Sequence, residues 1–229
     1  RTLILLKSDI NKKNFHGDTP LLAACKSGKW NCARILLSSG ANPNVRDSSN
    51  KTPLYYASAE DIDTVKLIVA KKGNVNSSDL PALNAVENGK TDILVFLHKS
   101  GSKLYLIKNL IHAAAKSGKK DTLYYLASKK MNLNGKDQSG AIPLHIAVEN
   151  GRYETAAFLL SRKNPVNAVD YSGRTPLMRY IEKNNPPSLD YLNFLYKWKA
   201  SFKVRNKNGE SLIHIAQADK NLIQYYRSK

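Results

Sequence analysis

A chain of 229 residues, 42% of them hydrophobic, is long enough for one or two globular domains or one repeat array and too apolar for intrinsic disorder. No run approaches the ~18 consecutive apolar residues of a membrane-spanning helix, and two cysteines, Cys25 and Cys32, exclude a disulfide framework and read as small buried residues. The net charge of +18, with a pI near 9.8, favours acidic partners, although joint richness in Lys and Asn is also what an AT-rich genome produces.

Residues 1–13 read as the second helix of an incomplete unit, which would cap an array or mark a truncation. With Arg1 in first place, the chain is expected to be a piece of a longer protein or a mature chain after signal removal. From residue 14 one frame recurs. Thr19-Pro20-Leu21-Leu22-Ala23-Ala24 returns as Thr52-Pro53-Leu54-Tyr55-Tyr56-Ala57, as Leu80-Pro81-Ala82-Leu83-Asn84-Ala85 and as Asn109-Leu110-Ile111-His112-Ala113-Ala114. It continues through Ile142-Pro143-Leu144-His145-Ile146-Ala147, Thr175-Pro176-Leu177-Met178 and Ser211-Leu212-Ile213-His214-Ile215-Ala216. The successive spacings are 33, 28, 29, 33, 33 and 36 residues, a period near 33. Lys26-Ser27-Gly28, Glu87-Asn88-Gly89, Lys116-Ser117-Gly118 and Glu149-Asn150-Gly151 keep one offset within it. Gly40-Ala41-Asn42-Pro43-Asn44 closes a unit, with weaker echoes at Gly73 to Asn76 and Asn164 to Asn167. The units run about 14–46, 47–76, 77–103, 104–134, 135–167, 168–202 and 203–229.

Each unit reads as helix, short turn, helix and extended connection. Pro at the first helical position sacrifices no hydrogen bond, and Thr19, Thr52 and Thr175 before it can cap. Ala23 and Ala24 allow close approach of neighbouring helices, and Gly28 and its counterparts end the first helix in the left-handed region. The second helix carries apolar residues at helical spacing: Ile35 and Leu36, Val65 and Ile68, Ile93, Phe96 and Leu97, Phe158 and Leu159. Glu60-Asp61 replaces the Gly turn in the second unit. The connections before Leu80 and Asn109 lack roughly four residues, so projecting fingers should be clipped there, and the middle of the array is expected to curve differently from its ends. Asn185-Pro186-Pro187 adds about three residues, an expected surface bulge. The last residues, 221–229, read as a short charged C-terminal cap.

These motifs closely resemble the ankyrin repeat family over nearly the whole chain, with Asp137 to Gly151 nearest to its pattern, although Ile142 stands where the family has Thr. The resemblance implies an all-α, ankyrin-type helical repeat solenoid with short β-hairpin finger loops, about seven repeats. It also implies a structural, hydrogen-bonding role for His112, His145 and His214 near the finger bases. Partner contacts in the family come from fingers and the exposed turn of the first helix, which line a concave groove. Carried over, these positions include Phe15, His16, Asp18, Lys26, Lys51, Glu60, Lys116, Glu149, Tyr171, Arg174, Arg179 and Lys183. Exposed aromatics and arginines make Phe15, Tyr171, Arg174 and Arg179 the leading candidates.

No phosphate-cradling Gly loop and no zinc-spaced Cys or His cluster occurs in the sequence, and Asp61 and Asp63 lie at a turn where a solvated role is expected. In each of the pairs Tyr55-Tyr56, Tyr124-Tyr125 and Tyr225-Tyr226 one ring should pack and the other reach the surface; Trp30 and Trp198 should pack against neighbouring units. No catalytic residue, metal or cofactor is expected. The reading is a monomeric protein-binding scaffold whose partner presents an acidic face. A basic surface for nucleic acid or anionic membrane, and a substrate-presenting part of a larger enzyme, are the alternatives. Lys and Asn richness suggests a bacterial or viral source and a soluble protein, cytoplasmic or delivered into a host cell, or periplasmic if Arg1 follows a removed signal peptide.

Overall fold

A computed structural model describes residues 9–184 and 187–215. Most of the expected N-terminal cap, the Asn185-Pro186 part of the bulge, the final helix and Tyr225-Tyr226 lie outside the described residues. The chain folds as two compact units, Arg1–Leu110 and Ile111–Lys229. The first contains three helix pairs: α1 (Pro20–Lys26) with α2 (Trp30–Ser38), α3 (Pro53–Ser58) with α4 (Ile62–Ala70), and α5 (Pro81–Glu87) with α6 (Thr91–Lys99). First helices pack on first helices, α1 to α3 to α5, and second on second, α2 to α4 to α6.

Helix α7 (Leu110–Ser117) starts at the division, and α8 (Lys120–Ser128), α9 (Pro143–Glu149), α10 (Tyr153–Ser161), α11 (Pro176–Lys183), α12 (Leu189–Lys197) and α13 (Leu212–Ile215) follow. In this second unit α9 packs on α10 and α11, α8 on α10 and α11 on α13. A row of rings joins its second helices: Tyr124 meets Phe158 at 4.3 Å, and Tyr153 meets Phe194 at 4.0 Å, centroid to centroid.

The caps follow from the sequence. Thr19, Thr52 and Thr175 accept hydrogen bonds through Oγ1 from the amides of Leu22, Tyr55 and Met178 at 3.2–3.3 Å. Where the Gly turn is missing, Asp61 caps α4 by accepting from the Thr64 amide at 2.8 Å and pairs with Arg34 at 2.8 Å, so it is not merely solvated. Leu21, Leu22, Leu37, Leu54, Ile68 and Leu97 of the first unit are at most 1% exposed. Burying each stabilises the fold by about 1.5–3 kcal/mol. Ile35, expected inside, is 42% exposed, because Ala33 and Leu37 occupy the buried face of α2 instead. Cys25 of α1 is buried, but Cys32, on the outward face of α2, is exposed. Trp30 does reach the neighbouring repeat, donating to Glu60 at 3.2 Å, whereas Trp198, at the end of α12, remains 38% exposed. Tyr124 is 49% exposed while Tyr125 is half-buried; Tyr55 and Tyr56 are both half-buried, one under Lys51 and one bonded to Asp47.

The fingers differ from the expected β-hairpins. No strand forms among the described residues, and only an isolated bridge joins Arg205 to Ser211. Each full finger is instead a tight turn, as from Asp47 to Lys51, where the Asp47 amide donates to the Lys51 carbonyl at 3.0 Å. Its arms are too short for a ladder. The clipped fingers end in left-handed residues, Leu80 (φ 55°) and Asn109 (φ 58°).

Asparagines stitch repeat to repeat. Asn11 Oδ1 accepts from the Asn42 amide, Asn44 Oδ1 from the Asn74 amide and Asn76 Oδ1 from the Lys103 amide, each at 2.9 Å. In the second unit Asn167 Oδ1 accepts from Ser201 at 2.7 Å and its amide donates to the Lys199 carbonyl at 3.1 Å. Asn164 is different: it is buried where Ala41 and Ala200 sit in other repeats, and neither polar atom of its side chain has a partner among the described residues.

The second helices end on left-handed residues. Gly40 and Gly101 supply two of them, but Lys72, Lys130, Lys163 and Lys199 take the same place at φ 58–65°. An L-residue with a side chain pays steric strain there that Gly avoids. Lys72→Gly, Lys130→Gly and Lys163→Gly are therefore expected each to raise unfolding free energy by about 0.5–1 kcal/mol, read as a higher urea midpoint at unchanged slope.

Candidate functional site

Five of the repeats, those with full fingers, carry an acceptor six residues ahead of the first helix. Asn14, Asp47, Asp137, Asp170 and Asn206 each accept, through Oδ1, from the backbone amides two and four residues on, at 2.8–3.0 Å. The motif is an Asx turn that converts a flexible connection into a rigid one. These organising residues were missing from the contact positions read in the sequence, although their regular offset before the first helix, Pro in four of the five, was a usable signal.

In the first unit, Asp47 joins the two repeats that flank it. Its Oδ2 accepts from the Tyr56 hydroxyl at 2.6 Å, and Lys26 of the preceding repeat stands 3.7 Å away. Lys26 also contacts Asp18 at 2.8 Å. Burial opposes ionisation of Asp47, but the Tyr56 hydroxyl, the amides of Lys51 and Ser49 and the charge of Lys26 outweigh it and hold the carboxyl below its ordinary value. Lys26 is pushed up, mainly by its hydrogen bond to Asp18.

The second unit builds a denser version. The Asp170 side chain is fully buried, and its Oδ2 accepts from Arg179 Nε at 2.8 Å and Nη2 at 2.7 Å and from Arg174 Nε at 3.2 Å. Arg179 also reaches Glu149 at 3.3 Å and Ser139 at 3.0 Å, while Arg174 reaches Glu182 at 3.1 Å. Lys183 contacts Asn150 at 2.7 Å and Glu149 at 3.6 Å. Glu149, Arg174, Arg179, Glu182 and Lys183 line an open cleft of about 240 Å³. Burial works against the Asp170 charge, but the Arg174 amide and Arg179 guanidinium more than compensate, and its pKa is lowered.

Four sequence-derived positions therefore converge here: Glu149, Arg174, Arg179 and Lys183. The expectation of exposed side chains fails for two residues. Asp18 is 7% exposed and Arg179 9%, because each turns inward to a countercharge. Phe15 and His16 are exposed at the tip of the first turn, Phe15 completely. Tyr171 is 58% exposed, with its amide donating to the Ser139 carbonyl at 2.9 Å and Lys136 Nζ 5.6 Å from its ring centroid. Lys51 stacks on Tyr55 at 3.7 Å, Glu60 accepts from Trp30, and Lys116 is exposed in the last turn of α7. Tyr105 and Leu106, 75% and 64% exposed in a short 3-10 turn at Leu104–Leu106, were not singled out by sequence because the clipped connection has no counterpart in the other units.

The finger-base histidines make backbone hydrogen bonds. His112 Nε2 lies 2.9 Å from the Ala141 carbonyl and His145 Nε2 3.1 Å from the Arg174 carbonyl. Burial pushes the His145 imidazole down to about 4, the nearby Arg179 charge assisting and the Arg174 carbonyl opposing. No group of three or more His, Cys, Asp or Glu side chains suited to a metal occurs among the described residues.

A family model described as ankyrin repeats (3 copies) matches residues 1–79, 83–170 and 112–206. The fowlpox virus ankyrin repeat protein FPV244 is 34% identical over 101 residues, which is 43% of this chain and 15% of that protein, so this chain spans a small part of that curated relative. Among solved structures, the human ASB11 ankyrin repeat domain matches with a TM-score of 0.79 at 21% identity, covering 92% of this chain and 97% of that one. The ankyrin repeat domain of Bcl-3 matches with a TM-score of 0.64 at 23% identity, over 92% and 99% of the two chains. Further relatives are fungal, bacterial and animal, so Lys and Asn richness does not mark a bacterial source. No described helix is long and apolar enough to cross a membrane.

Two outcomes follow from the buried charges. Arg179→Met strands the Asp170 carboxylate and should destabilise the second unit by about 3–5 kcal/mol in urea unfolding. Unfolded His145 takes up its proton near 6.5 and folded His145 only near 4, so the unfolded chain binds more protons between these values. Stability should fall as pH drops through that window, by at most about 1.4 kcal/mol per pH unit. His145→Asn should flatten the dependence there. The lowered carboxylates of Asp47, Asp61, Asp137 and Asp170 stabilise above their ordinary value of 3.8 and add their loss only below it.

Proposed function

Because this chain belongs to the ankyrin repeat family, whose domains generally mediate protein–protein interaction, we propose that it is a binding scaffold whose fingers and first-helix turns contact a protein with an acidic face. The observation that carries the reading is the exposure of Phe15 and Tyr171 on turns held rigid by Asn14 and Asp170. A ring left in water on a preorganised backbone loses little entropy when a partner covers it, and aromatic side chains dominate binding energy at interfaces. The net charge of +18 supports an acidic partner and fast, salt-sensitive association. Glu60, Glu149 and Glu182 interrupt that charge locally and give it a pattern rather than a uniform field.

The test is quantitative affinity purification from the source cells at two salt concentrations, using the wild-type chain and the Phe15→Ser and Tyr171→Ser variants. Both substitutions leave the buried networks intact, so melting temperature should stay within about 2 °C of wild type for a surface change. A protein partner enriched by wild type should be depleted at least tenfold by one or both variants, the cost of losing an anchor worth over 1.4 kcal/mol. Equal recovery with both variants sinks this contact surface.

A further inference from the structure

The second helices of the Ile111–Lys229 unit carry acids at their starts and bases at their ends. Asp121, Glu154 and Asp190 lie in the first turns of α8, α10 and α12. Lys129 and Lys130, Arg162 and Lys163, and Lys197 and Lys199 close the same helices, and all six are exposed. The segments 122–136, 155–169 and 191–209 contain ten basic residues and no acidic one. None of the six makes an ion pair among the described residues; Lys129 and Arg162 rest over the rings of Tyr125 and Phe158 instead.

These ends form a row. Tyr124 and Phe158 bring α8 and α10 side by side, and Asn167 ties the connection after α10 to that after α12 through Lys199 and Ser201. Packed helices lie about 8–10 Å apart, so basic groups recur at that spacing along one edge. A cation at a helix C-terminus complements the macrodipole, which explains one charge per helix end. It does not explain why Lys130, Lys163 and Lys199, like the single Lys72 of the first unit, occupy left-handed positions that Gly40 and Gly101 fill without strain. The backbone there carries a cost for a charge with no partner inside the unit, which is how a site for an external ligand announces itself.

We propose that this lysine-rich edge of the second unit docks on an anionic lipid membrane. The chemistry of the edge favours a membrane over nucleic acid. Five of the six cations are lysines, point charges on flexible stems suited to diffuse attraction, where phosphate recognition in a groove favours Arg forks. Trp198, 38% exposed between Lys197 and Lys199, is an amphipathic ring that sits well at headgroup level. The edge is formed by helix ends rather than by the fingers that carry Phe15 and Tyr171, so the two activities are separable.

The experiment is co-sedimentation of the full chain with phosphatidylcholine vesicles containing phosphatidylserine, against pure phosphatidylcholine, at physiological and at high salt. Wild type should partition onto the anionic vesicles alone and come off in high salt. Each Lys near the surface is worth about fivefold, so Lys130→Gly, Lys163→Gly and Lys199→Gly together should lower partitioning on the order of a hundredfold. These changes also relieve backbone strain, and the matching Asn triple variant, which tolerates the same φ, guards against a folding artefact. Trp198→Ala should weaken binding further and abolish any blue shift of tryptophan fluorescence on vesicle addition. Failure of wild type to bind anionic vesicles overturns the proposal, as does binding by both triple variants at the wild-type level. Tighter binding to an oligonucleotide than to vesicles at the same salt overturns it in favour of nucleic acid.

Discussion

Helices of six to nine residues do not persist in water by themselves, because nucleation is costly and each turn returns only one hydrogen bond per residue fixed. Every helix pair in this protein therefore depends on the pair beside it. Leu22, Leu54 and Leu97 are sealed because helices of the same kind stack, α1 on α3 and α4 on α6, and stability is close to a sum over such neighbour contacts. That constraint makes the small residues of the frame, the Pro at each helix start and the left-handed exits necessary rather than incidental.

Polar groups set the register of the stack. The Asx acceptor of each full finger gathers two amides of its own turn and, at Asp47 and Asp170, a side chain from the following helix. Asn11, Asn44, Asn76 and Asn167 each reach into the next repeat. Part of the Asn content that composition alone would assign to a biased genome thus has a structural role. The same arrangement leaves the side chains of Phe15 and Tyr171 exposed at the turn tips.

The repeat frame was legible because independent markers agreed on a period: Thr-Pro starts, Gly exits and Asn-bearing closures each implied a local geometry that the structure has. What sequence left hidden is longer in range. Arg179 looked like an exposed contact, but whether an Arg on a first helix faces water depends on a carboxylate nine residues earlier being buried beside it. Ile35 and Leu37 are both apolar in one short helix, and only the direction of neighbour packing decides which goes inside. Lysines at helix exits could not be recognised as left-handed until the backbone was traced, since Gly is the residue that signals such a place.

Asn164 has a consequence for how the array comes apart. In a stack held together by nearest-neighbour seams, rupture begins at the weakest joint and not at the average one. A buried amide with two unanswered polar atoms costs on the order of 1–3 kcal/mol for each group, and water entering that position would satisfy both at once. Burial of Asn164 thus makes the joint after α10 less favourable than the joints that Ala41 and Ala200 seal. Asn167, three residues on, spans the same joint through the Lys199 carbonyl and the Ser201 amide.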